Sequence, residues 1–235
     1  MTKKNVLNLS LLVLVVVTFA WVWQVLHKPD TLPIRTVRVL GAHSPTAQVA
    51  LQGVIKKFVK TGFFAVDIVA LQSSLIELGW VATVSISRVW PDTLVIRVTE
   101  QKPVARWGAT GLLNDEGKFF KALTTAQLSA ELPFLEGPPG TEKEVLDQFR
   151  TMDRQVSQIG LHIVALYLSP RRAWSMRLNN GMYLLLGQKS VSERLERFVM
   201  VYNGIFGSKG SETKQIDLRY PNGIAVRWNE QKVGT

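Results

Sequence analysis

The chain has no cysteine and only three histidines among its 235 residues. The missing cysteine excludes a disulfide framework, thiolate-ligated zinc, iron–sulfur clusters and a cysteine nucleophile. The histidines, His27, His43 and His162, stand far apart and form no HxxH, HExxH or Ser-His-Asp pattern. No GxxxxGK[ST] or GxGxxG occurs either. The one adjacent carboxylate pair, Asp115-Glu116, sits in an NDEG turn, where neighbouring side chains point apart. No catalytic activity, metal, cofactor or small-molecule substrate is expected. Charge is also sparse, at 20% of residues against 46% hydrophobic, so there is ample material for a core. The formal charge of +10 is spread out. Basic residues number 2, 9 and 17 before Val6, from Lys28 to Lys102 and beyond, against 0, 5 and 13 acidic ones. No run of like charge exceeds two, as at Lys56-Lys57 and Arg171-Arg172. A nucleic-acid-binding arm is therefore not expected.

The longest feature present is an uncharged stretch between Lys4 and Lys28. Residues 6–26 read VLNLSLLVLVVVTFAWVWQVL. As a helix this run spans about 31 Å, one bilayer core. Trp21 and Trp23 lie near its end, where indoles favour the membrane interface. Lys3 and Lys4 precede it, which directs residues 1–5 to the cytoplasm and the remainder outside. The rival reading is a cleaved signal peptide ending near Thr18-Phe19-Ala20. The apolar run continues past that point, which favours a retained anchor over residues 6–26.

Two blocks follow the polar linker HKPDTL at residues 27–32. The first, residues 34–102, has the order β-α-α-β-β. Residues 34–42 read as a strand with Val37 and Val39 on one face. Residues 46–60 form an amphipathic helix carrying Leu51, Ile55 and Phe58. Asp67 is a candidate N-cap for a second helix that Gly79 ends. Val84, Ile86, Arg88 and Trp90 alternate as one face of a half-buried strand. Pro91-Asp92 turns the chain, and Leu94, Ile96 and Val98 return as a possible edge strand whose Arg97, with nearby Lys102, is a solvated cation or a partner contact.

The second block, residues 103–228, is read as short strands at 104–107 and 112–113. A helix follows from a Thr141/Glu144 capping box, then a strand at 163–168. Alternating runs flank Asn179-Asn180-Gly181 as a hairpin, and Ser190 is a candidate cap for a helix to Phe206. A last hairpin follows: Ile216, Leu218 and Tyr220 alternate, Pro221-Asn222-Gly223 turns, and Ile224, Val226 and Trp228 return. Residues 229–235 are a polar tail.

The ordered set Trp80-Val81, Arg88-Val-Trp-Pro91, Pro103-Val-Ala-Arg-Trp107, Asn114-Asp-Glu-Gly117, Leu132-Pro-Phe-Leu-Glu-Gly137, Arg171-Arg-Ala-Trp174, Leu178-Asn-Asn-Gly181 and Asp217-Leu-Arg-Tyr220 with Trp228 resembles the bacterial FtsQ/DivIB cell-division family. The helix before Trp80 ends in Glu77-Leu-Gly79, without the proline often found there. The resemblance implies an α+β chain: one transmembrane helix, a POTRA domain, and a mixed-sheet β domain with flanking helices. It implies a non-catalytic scaffold of the divisome, bitopic in the cell inner membrane at the septum, its domains periplasmic. FtsB-like and FtsL-like proteins are the implied partners, bound at the last strands of the β domain, with other division proteins at the POTRA domain. The alternative is a periplasmic POTRA-containing adaptor of a secretion or envelope-assembly system.

The final hairpin offers an edge for strand addition. Arg219, on the face opposite Ile216 and Leu218, is placed to meet an acidic partner residue. Tyr220 and Trp228 are candidate aromatic anchors, although Trp228 equally fits a core-capping role. Gly223 belongs to the intervening turn. By resemblance Arg171 is a second cation of this surface.

Overall fold

In the computed structural model the described residues are 3–26, 33–121, 123, 131–206, 213–220 and 223–229. The linker at 27–32, the Pro221-Asn222 turn and the tail from 230 onward lie outside them, as does the Trp23 side chain. The chain opens with helix α1 (Lys3–Leu26), 24 residues long. Its side chains are described for residues 11–21 and 24, and every one of these is exposed. Among the described residues no helix is long and apolar enough to cross a membrane.

The chain divides into two units at Gln101/Lys102. Beyond α1 the first holds β1 (Thr36–Leu40), α2 (Pro45–Phe58), α3 (Ile68–Ile76), β2 (Val81–Val89) and β3 (Thr93–Glu100). This is the expected β-α-α-β-β order. Ser44 caps α2 by accepting from the Ala47 amide, and Asp67 caps α3 by accepting from the Ala70 amide at 2.9 Å. Each side chain satisfies an amide that the helix leaves unpaired. Leu51, Leu71, Leu75, Leu94 and Ile96 are completely buried beneath the two helices. Gly41, at φ 90°, closes β1 against Val98; a Cβ there would lie 2.0 Å from the Val98 carbonyl oxygen.

The strand order is β1-β3-β2, with β1 parallel and β2 antiparallel to β3. The reading of β3 as an edge is therefore wrong. The helical crossover after β1 carries the chain past β3, so β3 pairs on both sides and β1 and β2 are the edges. Arg97 remains exposed on this central strand. A second difference lies at the hairpin tip. Trp90, expected to continue the half-buried face of Val84 and Ile86, is 76% exposed, because the strand runs beyond the helices that cover its start.

Among the described residues the second unit builds one nine-stranded mixed sheet. Its strands are β4 (Ala105–Trp107), β5 (Gly111–Leu113), β6 (Phe119–Lys121), β7 (Phe134–Glu136), β8 (Ile163–Leu168), β9 (Trp174–Leu178), β10 (Tyr183–Gly187), β11 (Thr213–Asp217) and β12 (Ala225–Trp228). The order is β12-β11-β10-β9-β8-β7-β4-β5-β6. Helices α4 (Glu142–Val156) and α5 (Val191–Ile205) pack on it as crossovers into the parallel pairs β7–β8 and β10–β11. Leu146, Leu166, Met176, Leu184, Leu186, Phe198, Ile216 and Leu218 form the core between sheet and helices.

Two caps differ from expectation. Thr141 is not extended (φ −104°, ψ 10°); its hydroxyl donates to the Pro138 carbonyl, and Glu144 pairs instead with Arg172. No capping box forms. Ser190 is left-handed at φ 51° and makes no side-chain cap; its carbonyl accepts from the Arg194 amide. The hydroxyl of a left-handed residue points away from the helix amides that an extended N-cap reaches.

Candidate functional site

Among the described residues nothing pairs with the outer side of β12, so the last hairpin is an edge of the sheet. β11 and β12 are antiparallel, with Thr213 opposite Trp228, Ile216 opposite Val226 and Asp217 opposite Ala225. Ile216 is completely buried, and Ile224 and Val226 are half-buried against the same core. Ala225 and Arg227 face outward, and Trp228, on the face of Val226, is partly exposed. The strand is thus held by one flank of its main chain, while its free flank can accept another strand.

The expected site residues fall at both ends of this edge. Arg219 and Tyr220 come after Leu218 beyond the end of β11, and Gly223 leads into β12. β10 brings the rest to the same end: Leu185 pairs with Asp217, and the Leu218 amide donates to the Leu185 carbonyl. Gly187, two residues on, pairs with Trp174 of β9. The β8–β9 turn that precedes Trp174 presents Arg171 at its exposed tip, where the Arg171 carbonyl accepts from Gln188 Nε2 at 2.6 Å. Arg171, Arg219, Tyr220 and Gly223 therefore gather at one end. Trp228 lies at the other, opposite Thr213.

Tyr220 departs from the alternation that suggested it. The strand ends at Asp217, so Leu218 is still buried but Tyr220 turns out and is 55% exposed. Trp228 is neither a buried cap nor fully free. It is 46% exposed, and its ring lies 6.3 Å from that of buried Phe206. Phe206 in turn meets Phe198 and Tyr202 at 6.3 and 6.2 Å. One face of Trp228 is fixed by a row of aromatic rings and the other is open.

Arg219 already has an acid in its own chain. Its Nε donates to Asp217 Oδ1 and Oδ2 at 2.9 and 3.0 Å, its Nη2 donates to Oδ2 at 2.6 Å, and its amide donates to Oδ1 at 3.0 Å. The Arg219 stem passes over Gly187, whose φ of 79° and missing Cβ leave room for it and for Arg194. Asp217, Arg194 and Gln188 are site residues that the sequence reading missed. The two-residue spacing of Asp217 and Arg219 on one strand face was the available signal.

The Asp217 carboxyl is held below the usual carboxylate range, chiefly by its hydrogen bonds from the Arg219 side chain, against opposing desolvation. A carboxyl with a lowered native pKa stabilises the fold above its unfolded value of about 3.9, and that contribution disappears as pH falls through the lower native value. Asp217→Asn is accordingly expected to be less stable than the parent near neutral pH. The gap should close in strong acid, checked by denaturant midpoints across a pH series.

Trp21, the first expected membrane-interface residue, is 64% exposed on α1. Among the described residues no group of three or more His, Asp or Glu side chains is arranged to hold a metal ion.

Residues 32–101 match the family model described as POTRA domain, FtsQ-type, and residues 105–219 match that described as Cell division protein FtsQ/DivIB, C-terminal. Fold and matches together define a POTRA-bearing bacterial cell-division protein. The chain is 34% identical over 203 residues to the cell division protein FtsQ of Coxiella burnetii, covering 86% of this chain and 83% of that one. It is 35% identical over 212 residues to its counterpart in Vibrio cholerae, covering 90% and 79%. For Shewanella oneidensis the identity is 33% over 227 residues, covering 95% and 86%. The chain belongs to the FtsQ/DivIB family of cell division proteins.

Proposed function

We propose that this protein is a non-catalytic scaffold of the divisome. It captures FtsB-like and FtsL-like partners by adding a partner strand to β12. The observation that carries this reading is the open edge of β12 at the end of the nine-stranded sheet. Main-chain pairing along the edge supplies affinity, and the flanking side chains select the partner. Tyr220 and the open face of Trp228 are the aromatic anchors. Arg171 and Arg219 favour an acidic partner segment, which would share Arg219 with Asp217. Amide hydrogen exchange tests this: partner addition is expected to slow exchange in β12 and not in the paired strand β8. Protection confined to other elements would refute strand addition.

We also infer that α1 anchors the chain in the inner membrane, with the POTRA and β domains periplasmic. The support is the sequence: residues 6–26 carry no charge and as a helix match a bilayer core in length, whereas the described residues by themselves hold no helix long and apolar enough. Its described apolar side chains, Leu11 to Val17 and Phe19, are all more than half exposed, a surface that suits an apolar solvent. Alkaline carbonate extraction is expected to leave the full-length chain in the membrane pellet. Release of a chain shortened to begin near Trp21 would mean a cleaved leader instead.

A further inference from the structure

We propose that the tip of the β2–β3 hairpin is a second membrane contact, inserting Trp90 into the lipid headgroup region beside the anchor. This rests on the reading of α1 as an anchor and adds to it. Trp90 is 76% exposed and neighbouring Val89 is 48% exposed, with exposed Pro91 completing the tip. Large apolar groups at a hairpin tip bury nothing within their own domain. An indole is at its most stable at a membrane interface, where ring and N–H find different surroundings.

The topology puts this tip where the chain arrives from the anchor. β1 runs parallel to β3, so both start at the same end of the sheet, with Thr36 beside Thr93. The Arg35 and Thr36 amides donate to the carbonyl of Asp92, in the turn itself, at 3.0 and 3.4 Å. Only the residues between Leu26 and Arg35 separate the end of α1 from that contact. Even fully extended they span at most about 32 Å. Cations that can meet lipid phosphates flank the tip. Arg35 and Arg88 are both exposed, and Arg88 also donates to the Val66 carbonyl at 2.8 Å. Two described carboxylates oppose them: half-buried Asp92, which accepts from the Thr93 hydroxyl, and exposed Asp67, which follows Val66 and caps α3. Phe64, 40% exposed, lies in the loop that leads to Val66.

Because the chain lacks cysteine, one introduced cysteine can be labelled uniquely. The test uses the full chain, Val89→Cys labelled with an environment-sensitive fluorophore, in vesicles of phosphatidylethanolamine and phosphatidylglycerol. Lipid-borne quenchers are expected to quench this label strongly. A label at His43→Cys, at the opposite end of the β1–β3 pair, is expected to stay in water and escape quenching. Adding Trp90→Ser to Val89→Cys should reduce the quenching several-fold with an unchanged circular dichroism spectrum. A chain that floats with the vesicles while its Val89→Cys label stays in water overturns the tip contact and leaves the anchor standing. A label shielded from water but insensitive to lipid quenchers means a protein covers the tip, and also overturns the proposal. A chain that fails to float overturns both readings.

Discussion

Truncating Tyr220 to alanine is expected to weaken binding of an FtsB-type peptide by about 2 kcal/mol, roughly 30-fold, the scale of an aromatic hot spot. The fold should be unaffected. Tyr220 is 55% exposed, follows the end of β11 and contributes nothing to the core between sheet and helices. Isothermal titration with the partner peptide measures the first effect and thermal unfolding the second. Trp228→Ala should differ in kind. Its ring rests on Phe206, so its loss is expected to weaken binding and also loosen β12. If Tyr220→Ala binds as tightly as the parent, the partner does not use this end of the edge.

The largest effect on stability is expected from Phe198→Ala. Phe198 is completely buried on α5, with Tyr202 at 5.5 Å and Phe206 at 6.3 Å. Removing its ring loses the transfer energy of the side chain and leaves a cavity, together costing about 3–5 kcal/mol. Against a total stability of about 5–15 kcal/mol, that is a large share. The damage should also reach the binding edge, because Phe206 bears on both Phe198 and Trp228. Urea unfolding of the variant gives the stability loss. Hydrogen exchange in β12 shows whether the edge frays ahead of the core.

Phe198 lies in a helix whose apolar periodicity is evident in the sequence. The β-α-α-β-β order of the first block is likewise evident, as are the Asp67 cap, the Asn-Gly hairpin and the final hairpin. Periodicity and turn chemistry are local properties, carried by a handful of adjacent residues. Runs of three residues carry too little alternation to be read dependably: β4 and β5 were visible, whereas β6 and β7 of the same length escaped notice. Caps failed for a related reason. The residue types at Thr141 and Ser190 are right, but their backbone angles turn the hydroxyls elsewhere.

Much of the candidate site was visible for the same local reasons. Arg219 and Tyr220 stand beside an alternating strand, and Trp228 ends its partner. What the alternation missed was the strand's end at Asp217, which turns Tyr220 outward, and the role of Asp217, which engages Arg219 first.

By itself the sequence determined the chain's composition-level character: a long uncharged N-terminal run, two α+β blocks, no cysteine and no dense charge. It also carried the ordered motifs shared with the FtsQ/DivIB family. Only the tertiary structure decided which strands are edges. Pairing order depends on how crossovers route distant segments past one another, and no local pattern records that route. It made β3 central and β12 terminal. It brought Arg171 to the end that bears Arg219, and left Trp90 exposed where the chain enters its first domain.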